Sequence, residues 1–514
     1  GYGSPMTSTD SSPASTESPT PTPDPDPAGA VPGATDPATT GSPDASTDPG
    51  GAGGDAAAAI AGVRARFAAT LRSGRTLGSE WRKRQLQGVI DLLEQNEDRL
   101  TAAMAADLGK PAFEAWMTDL LTTRDEARHA KAHVDDWMRR RRHPVPTITK
   151  PGSAWVEPQP LGQVLVIAPW NYPVQLLLAP LVGALAAGDT VLLKPSELAP
   201  ATSAALAELV PEYLDPDAVA VVEGGVEVTT ELLAQPWDHI LFTGSTRVGK
   251  VVMAAAAEHL TPVTLELGGK SPTIVAADAD LAVAARRIAW AKTLNAGQTC
   301  VAPDYVLVEE AVADRFTGLL VAELERARDH AEPTSIVNAH HLRRLEGLLD
   351  GHGGEELLAR RVDRDARVLA PIAVREPDPD SPLMQEEIFG PLLPVLTVET
   401  VDDAISFVND RPRPLALYVF TSSDSVERKV LDGTTAGSVC VNHLVYQVAV
   451  TSLPFGGVGP SGMGAYHGKA GFDTFSHHKS VLKRPTRGDL KAAYPPYSPL
   501  VRRLLRRVTR WPSR

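Results

Sequence analysis

The sequence predicts an α/β protein with two Rossmann-like parallel-sheet domains and a small bridging or oligomerisation β element. Three observations predict it. The chain has 514 residues and 43% hydrophobic content, enough for several domains around a large core. Short apolar, β-branched runs at 161–167, 190–193, 218–222 and 239–242 alternate with helix-like stretches at 173–187 and 201–214, the pattern of parallel strands covered by helices. A second alternation follows Val263, with strands expected at 272–275, 305–308 and 393–396 and helices at 280–294 and 312–327.

Residues 1–55 are Pro, Ser, Thr, Asp, Gly and Ala with almost no large apolar side chain, so they cannot offset chain entropy and are expected to be disordered. From 56 to about 142, Leu86, Val89, Ile90, Leu93, Leu100 and Met104 fall at helical spacing. Extra strands near 154–157 and 438–442 supply the bridging element. The expected division is a tail over 1–55, N-terminal helices and a cofactor-binding domain over 56–266, and a cysteine-bearing domain over 267–437. A bridging strand and return segment over 438–498 and a final helix over 499–514 complete it. In that helix Leu500, Val501, Leu504, Leu505, Val508 and Trp511 share one face and Arg502, Arg503, Arg506, Arg507 and Arg510 the other. Two readings stay open for it: a lid over the protein's own entrance or dimer partner, and peripheral contact with anionic membrane.

The net charge of −13 is a poor guide to partners, because the first 55 residues carry eight acids and no Lys or Arg. The body is close to balanced, which argues against a nucleic-acid groove. Cys300 and Cys440 form neither a metal-ligand spacing nor a disulfide framework, and no apolar run is long enough to span a bilayer. A cytoplasmic protein, at most peripheral to a membrane, is expected.

Several motifs mislead. Residues 457–462, GVGPSG, match a dinucleotide fingerprint but lack the strand before it and the helix after it, so they read as a glycine-rich turn near a site. Residues 244–250, GSTRVGK, follow a strand and open a helix as a P-loop does, yet Val251 stands where an oxygen must hold magnesium. A helix N-terminus suited to a dinucleotide's phosphates remains. His340 and His341 lack metal-site spacing and read as a solvated helix face, so no metal is expected.

The informative stretch is 295–304, NAGQTCVAPD. A cysteine flanked by small and polar residues, between a helix and a strand, can reach a cleft with its sulfur. Its backbone N–H can face an oxyanion there. A buried, inert thiol is the alternative. Together with 264–270, TLELGGK, this stretch resembles the aldehyde dehydrogenase superfamily, and 167–173 (IAPWNYP), 193–197 (LKPSE), 242–249 (FTGSTRVG), 384–391 (MQEEIFGP) and 453–459 (LPFGGVG) match it in order. The wording of 298–304, 462–468 and 494–497 looks like the class 3 branch of fatty, aromatic and coniferyl aldehyde dehydrogenases.

The resemblance implies oxidation of an aldehyde, medium- or long-chain aliphatic or aromatic, to the acid. Cys300 would carry a thiohemiacetal and then a thioester, with Asn171 and the Cys300 N–H as oxyanion donors. Glu266, between two leucines and just before Gly268 and Gly269, is read as the general base, since an apolar neighbourhood raises a carboxyl's pKa. By resemblance, Lys194 and Glu197 contact the adenosine ribose. Trp170, Gly244, Ser245 and Gly249 belong to the cofactor site, Glu387 holds the nicotinamide ribose and Phe389 packs on the nicotinamide. NAD is expected first, with NADP accommodated. Tyr172 and Trp116 suggest an apolar entrance, which 443–447 also helps to line. A homodimer with 438–442 near its interface is expected. The competing readings are a coenzyme A-acylating relative, a P-loop-like nucleotide hydrolase and a non-catalytic scaffold.

Overall fold

Strands apolar on both faces demand cover on both sides, and the chain supplies it twice. The computed structural model describes residues 51–146, 149–330, 332–487, 494–496 and 498–509. Residues 1–50 of the tail expected over 1–55, and the segment beyond Thr509, lie outside the described residues.

The first large sheet runs in the order Gly462–Met463, Val263–Leu267, His239–Gly244, Gln163–Ile167, Thr190–Lys194, Val219–Val221. All neighbours are parallel except Gly462–Met463 against Val263–Leu267. From Gln163–Ile167 the chain steps outward on one side, then returns to place His239–Gly244 on the other. That reversal is a topological switch point, where the ends of diverging strands leave a crevice. The segments that follow these two strands, 168–171 and 244–245, meet at it.

The second sheet runs Glu355–Glu356, Ile372–Arg375, Leu392–Val398, Tyr305–Glu309, Pro272–Val275, Ala416–Phe420, Ser438–Val441, and is parallel apart from Glu355–Glu356. Helix Gln175–Ala187 is buried at every residue, as a helix that is apolar all round must be.

The elements follow the sequence's periodicity, with three differences. The first helix begins at Gly51, inside the stretch read as tail, because Ala56–Ala59 extend good helix-forming sequence back toward it. The 438–442 strand is the edge of the second large sheet, pairing with Ala416–Phe420, and takes no part in the small sheet. That small antiparallel sheet is Arg141–His143, Ser153–Pro160 and Ser476–Lys483. Its last strand escaped prediction because His477, Lys479 and Lys483 interrupt any apolar run; the strand is held by its ladder to Ser153–Pro160.

Candidate active site

Cys300 reaches its position through a strained loop. Helix Leu281–Thr293 stops, and Asn295, Ala296 and Gly297 then take left-handed φ values of 51°, 53° and 72°. Two non-glycine residues there persist only where surroundings over-determine them. Gln298 provides much of that determination: its amide donates to Asn295 O and Ser335 O, each at 3.0 Å, and its carbonyl accepts the Val337 N–H at 3.0 Å. The Asn295 N–H donates to Glu114 at 2.7 Å. A side chain at Gly297 would meet Gly390 O at 2.2 Å, so the loop also packs directly on the backbone of the 384–391 motif.

The sulfur lies where two cavities meet. One is a cleft at the switch point, lined by Trp170, Asn171, Gly244, Ser245, Glu266 and Glu387 among others, with Phe389. The other is a tunnel lined by Met117, Tyr172, Trp290, Tyr446, Val448 and Tyr466 among others. Cys300, Leu176 and Phe455 line both.

Burial raises the pKa of both of the cleft's carboxyls. Glu266 is 2% exposed, neither of its oxygens has a partner among the described residues, and burial alone raises its pKa well above the carboxylate range. Glu387 is pushed up to about 8 by burial and by Asp304, against the Gly269 N–H, Lys270 and Arg344. The Cys300 thiol is pushed up to about 12 by burial, then by Glu387 and Glu266, while the backbone N–H groups of Cys300 and Val301 pull it down. Those same N–H groups can serve an oxyanion. Asn171 donates one amide hydrogen to Gln298 O at 3.0 Å, which leaves the second for a ligand in the cleft.

The residues expected to hold a dinucleotide divide into three groups. Gly244 and Ser245 line the cleft at the start of helix Thr246–Ala257, where Ser245 caps the helix by accepting the Val248 N–H at 3.3 Å. Trp170, Glu387 and Phe389 also line it, with Trp170 edge-on to Phe389 at 5.4 Å. Lys194 and Glu197, paired at 2.9 Å, do not line this cleft; Lys194 ends the neighbouring strand Thr190–Lys194 and Glu197 follows it, at the same carboxyl end of the sheet. Gly249 faces inward, where a side chain would meet Leu267 Cδ2 at 2.6 Å, so it lets helix and strand approach and does not line the cleft. A helix N-terminus, a buried Glu387 oxygen without a partner and carboxylate and ammonium groups at a strand end fit a dinucleotide.

Two sequence readings need correcting. His341 is no plain solvated face: it lines the cleft beside Trp170, and burial lowers its pKa. Trp116 is absent from the tunnel wall and stacks on Phe113 at 5.7 Å, while its neighbour Met117 lines the tunnel. Sequence reasoning also missed Arg344, which donates to the carbonyls of Glu387 and Ile388, and Lys270, which ties Asp304 at 2.5 Å to the carbonyls of Leu383 and Glu386. Both sit inside or near quoted motifs, but charge spacing alone did not single them out.

Among the described residues the tunnel wall contains no Lys, Arg, Asp or Glu. Val445 lines it at φ 67°, a strained setting for a β-branched residue. Tyr446 stacks on His443 at 4.0 Å and meets Trp290 edge-on at 5.6 Å.

Comparison with known proteins agrees with this geometry. Residues 35–481 match the aldehyde dehydrogenase family. Mouse "Aldehyde dehydrogenase family 3 member A2" is 46% identical over 84% of this chain and 90% of its own length. Rat "Aldehyde dehydrogenase, dimeric NADP-preferring" is 44% identical over 82% and 95%. Among solved structures, the substrate-bound state of Staphylococcus aureus AldH superposes with a TM-score of 0.84 at 38% identity, covering 87% of this chain and 99% of that one.

Proposed function

The chain belongs to the aldehyde dehydrogenase family and is an NAD(P)-dependent, non-acylating enzyme that oxidises aldehydes to acids; we propose that it works through a thioester on Cys300 whose hydrolysis Glu266 assists. An aldehyde carbonyl accepts hydride and does not donate it, so a nucleophile must first make the carbon tetrahedral. Once its proton has passed to solvent, the Cys300 sulfur attacks the carbonyl carbon; the C=O π bond opens as the C–S bond forms, and the Asn171 amide and the Cys300 N–H stabilise the resulting oxyanion. The bound nicotinamide supplies the hydride acceptor. Glu266 then takes a proton from the water that attacks the thioester, the C–S bond breaks, and the sulfur leaves as the acid forms. The observation that carries this reading is a buried carboxyl, without a partner among the described residues, lining the same cleft as the cysteine. An acylating enzyme has no need of such a base.

The uncharged tunnel favours medium- or long-chain aliphatic or aromatic aldehydes over those bearing a carboxylate. Trp170, Gly244, Ser245, Glu387 and Phe389 are assigned to the nicotinamide and pyrophosphate half of the cofactor, and Lys194 and Glu197 to the adenosine ribose. A carboxylate at that ribose prefers NAD, and the adjacent ammonium lets NADP bind as well. On this reading 56–266 bind cofactor and 267–437 carry the nucleophile. The edge strand Ser438–Val441 presents an open ladder that suits a homodimer. Two free cysteines suit the cytoplasm, and the arginine-rich face of helix Pro499–Thr509 suits peripheral contact with anionic membrane. Among the described residues no helix is long and apolar enough to cross a membrane.

Rapid mixing tests the two central roles together. Glu266→Gln is expected to keep the burst of NADH, lose about 10² or more of steady turnover, and accumulate an acyl adduct on Cys300 visible by mass. Cys300→Ser should show neither burst nor adduct. Loss of the burst in Glu266→Gln would move that residue to an earlier step.

A further inference from the structure

Lys110 and Asp119 form a buried ion pair at 3.0 Å, with both side chains 0% exposed. We propose that this pair is the positioning element for the Asn171 amide, an inference that rests on the reading of Asn171 as oxyanion donor. Asp119 lies in a π-helical turn, Trp116–Leu121, whose Met117 and Thr118 line the tunnel. Such turns redirect side chains, and this one sends Asp119 inward while its neighbours face the tunnel.

The pair grips the 171–175 segment at both ends. Lys110 Nζ donates to Asn171 O at 3.1 Å and stands 4.1 Å from the Tyr172 ring centroid. Asp119 Oδ1 accepts the N–H groups of Val174 and Gln175, each at 3.2 Å, at the start of helix Gln175–Ala187. Asn295 Nδ2, from the nucleophile loop, donates to the same Asn171 carbonyl at 2.9 Å. Among the described residues the Asn171 side chain has a single partner, Gln298 O, so its aim depends on the backbone that the pair holds.

Stability alone does not call for this arrangement. Two well-packed apolar side chains of similar volume would hold the same elements together as well or better. What they could not do is fix one carbonyl and two amides of the segment that carries the oxyanion donor. Donors of that kind work only when placed within hydrogen-bond distance of the developing charge, and a misplacement of about 1 Å can cost about 10² in rate.

A double-mutant cycle separates positioning from support, with melting temperature and NADH binding measured alongside kinetics. Lys110→Met should lose both stability and turnover, because it strands the Asp119 charge. Lys110→Met/Asp119→Asn removes both charges and keeps an oxygen for the Val174 and Gln175 amides. Its melting temperature is expected to return toward wild type while kcat stays about 10²-fold down and KM moves less than about 3-fold. In an Asn171→Ala background the same neutralised pair should cost less than about 3-fold more, since its target is gone. Should the double variant not fold, Asp119→Asn alone is expected to lose about 10-fold in kcat, a loss again absent in the Asn171→Ala background. Recovery of kcat along with stability overturns the inference, as do additive losses on top of an impaired Asn171→Ala. An Asn171→Ala enzyme with undiminished turnover overturns the oxyanion reading, and this inference with it.

Discussion

The tunnel and the cleft share one sulfur yet are built by opposite rules. The tunnel resembles a section of core: among the described residues its wall carries no charged side chain, and its one buried polar atom without a partner is the Tyr466 hydroxyl. The cleft that holds the same sulfur is lined by Glu266, Glu387, His341 and Arg344, and leaves three carboxyl oxygens of Glu266 and Glu387 without partners among the described residues. Each such group costs free energy that the fold must recover elsewhere. The difference teaches where charge develops. A cavity that only holds an aldehyde's tail can be made of hydrocarbon, whereas one that handles protons and an oxyanion cannot.

The comparison breaks most visibly if the tunnel is given a charge. Val448→Arg places a guanidinium in the apolar wall without touching the cleft. A mismatch of about 2–3 kcal/mol should lower kcat/KM for apolar aldehydes roughly 10²-fold. Aldehydes bearing a carboxylate should lose far less or gain, and NADH affinity should hold. An unchanged ranking across a chain-length, aromatic and carboxylate-bearing panel would show that the wall does not select substrate.

A smaller effect is expected outside both cavities and sharpens what the tunnel is for. If arginines 502, 503, 506 and 507 meet anionic lipid, each adds about 1 kcal/mol at low salt, and the tunnel receives its substrates from the same bilayer. The full chain should then pellet with anionic vesicles, and a version ending at Ser498 should not. Equal pelleting of both, or of neither, removes the membrane reading and leaves the helix as a lid.

How legible all this was from the sequence depended on how local each signal is. The two sheets showed themselves because Val164–Ile167, Val191–Leu193 and Tyr305–Val308 are buried on both faces and so read as unbroken apolar runs. Ser476–Lys483 packs differently, and its polar residues hid it. Cys300 and Glu266 stood out through their neighbours: small residues around a thiol, leucines around a carboxylate. Lys110 and Asp119 did not, because a lysine and an aspartate on predicted helices look like solvated surface. Only tertiary packing takes both to zero exposure. Ser438–Val441 was recognised as a strand but given the wrong company, since a strand's partner is a long-range choice that its own residues do not state.

Glu126 extends the comparison to another buried glutamate, one that lies outside both cavities. Burial pushes it up from 4.5 to about 7, partly offset by the Gly468 N–H, which donates to it at 2.5 Å. Gly468 lies two residues beyond the tunnel residue Tyr466, so the proton on Glu126 bears on the support of the tunnel wall and not on the cleft. Because the folded value lies above the unfolded one, the folded protein holds the proton more tightly. The resulting stability is fully present below about pH 4.5 and is lost as pH rises through about 7. Glu126→Gln keeps an oxygen for the Gly468 N–H and cannot ionise. It should therefore melt with wild type at low pH and above it at pH 8, by at most ~3 kcal/mol. Glu266→Gln should share that sign while also stopping deacylation, whereas Glu126→Gln should leave the NADH burst and steady turnover nearly as they are. Melting curves for Glu126→Gln that track wild type from pH 4 to pH 8 would show that the Glu126 proton contributes nothing to the wall.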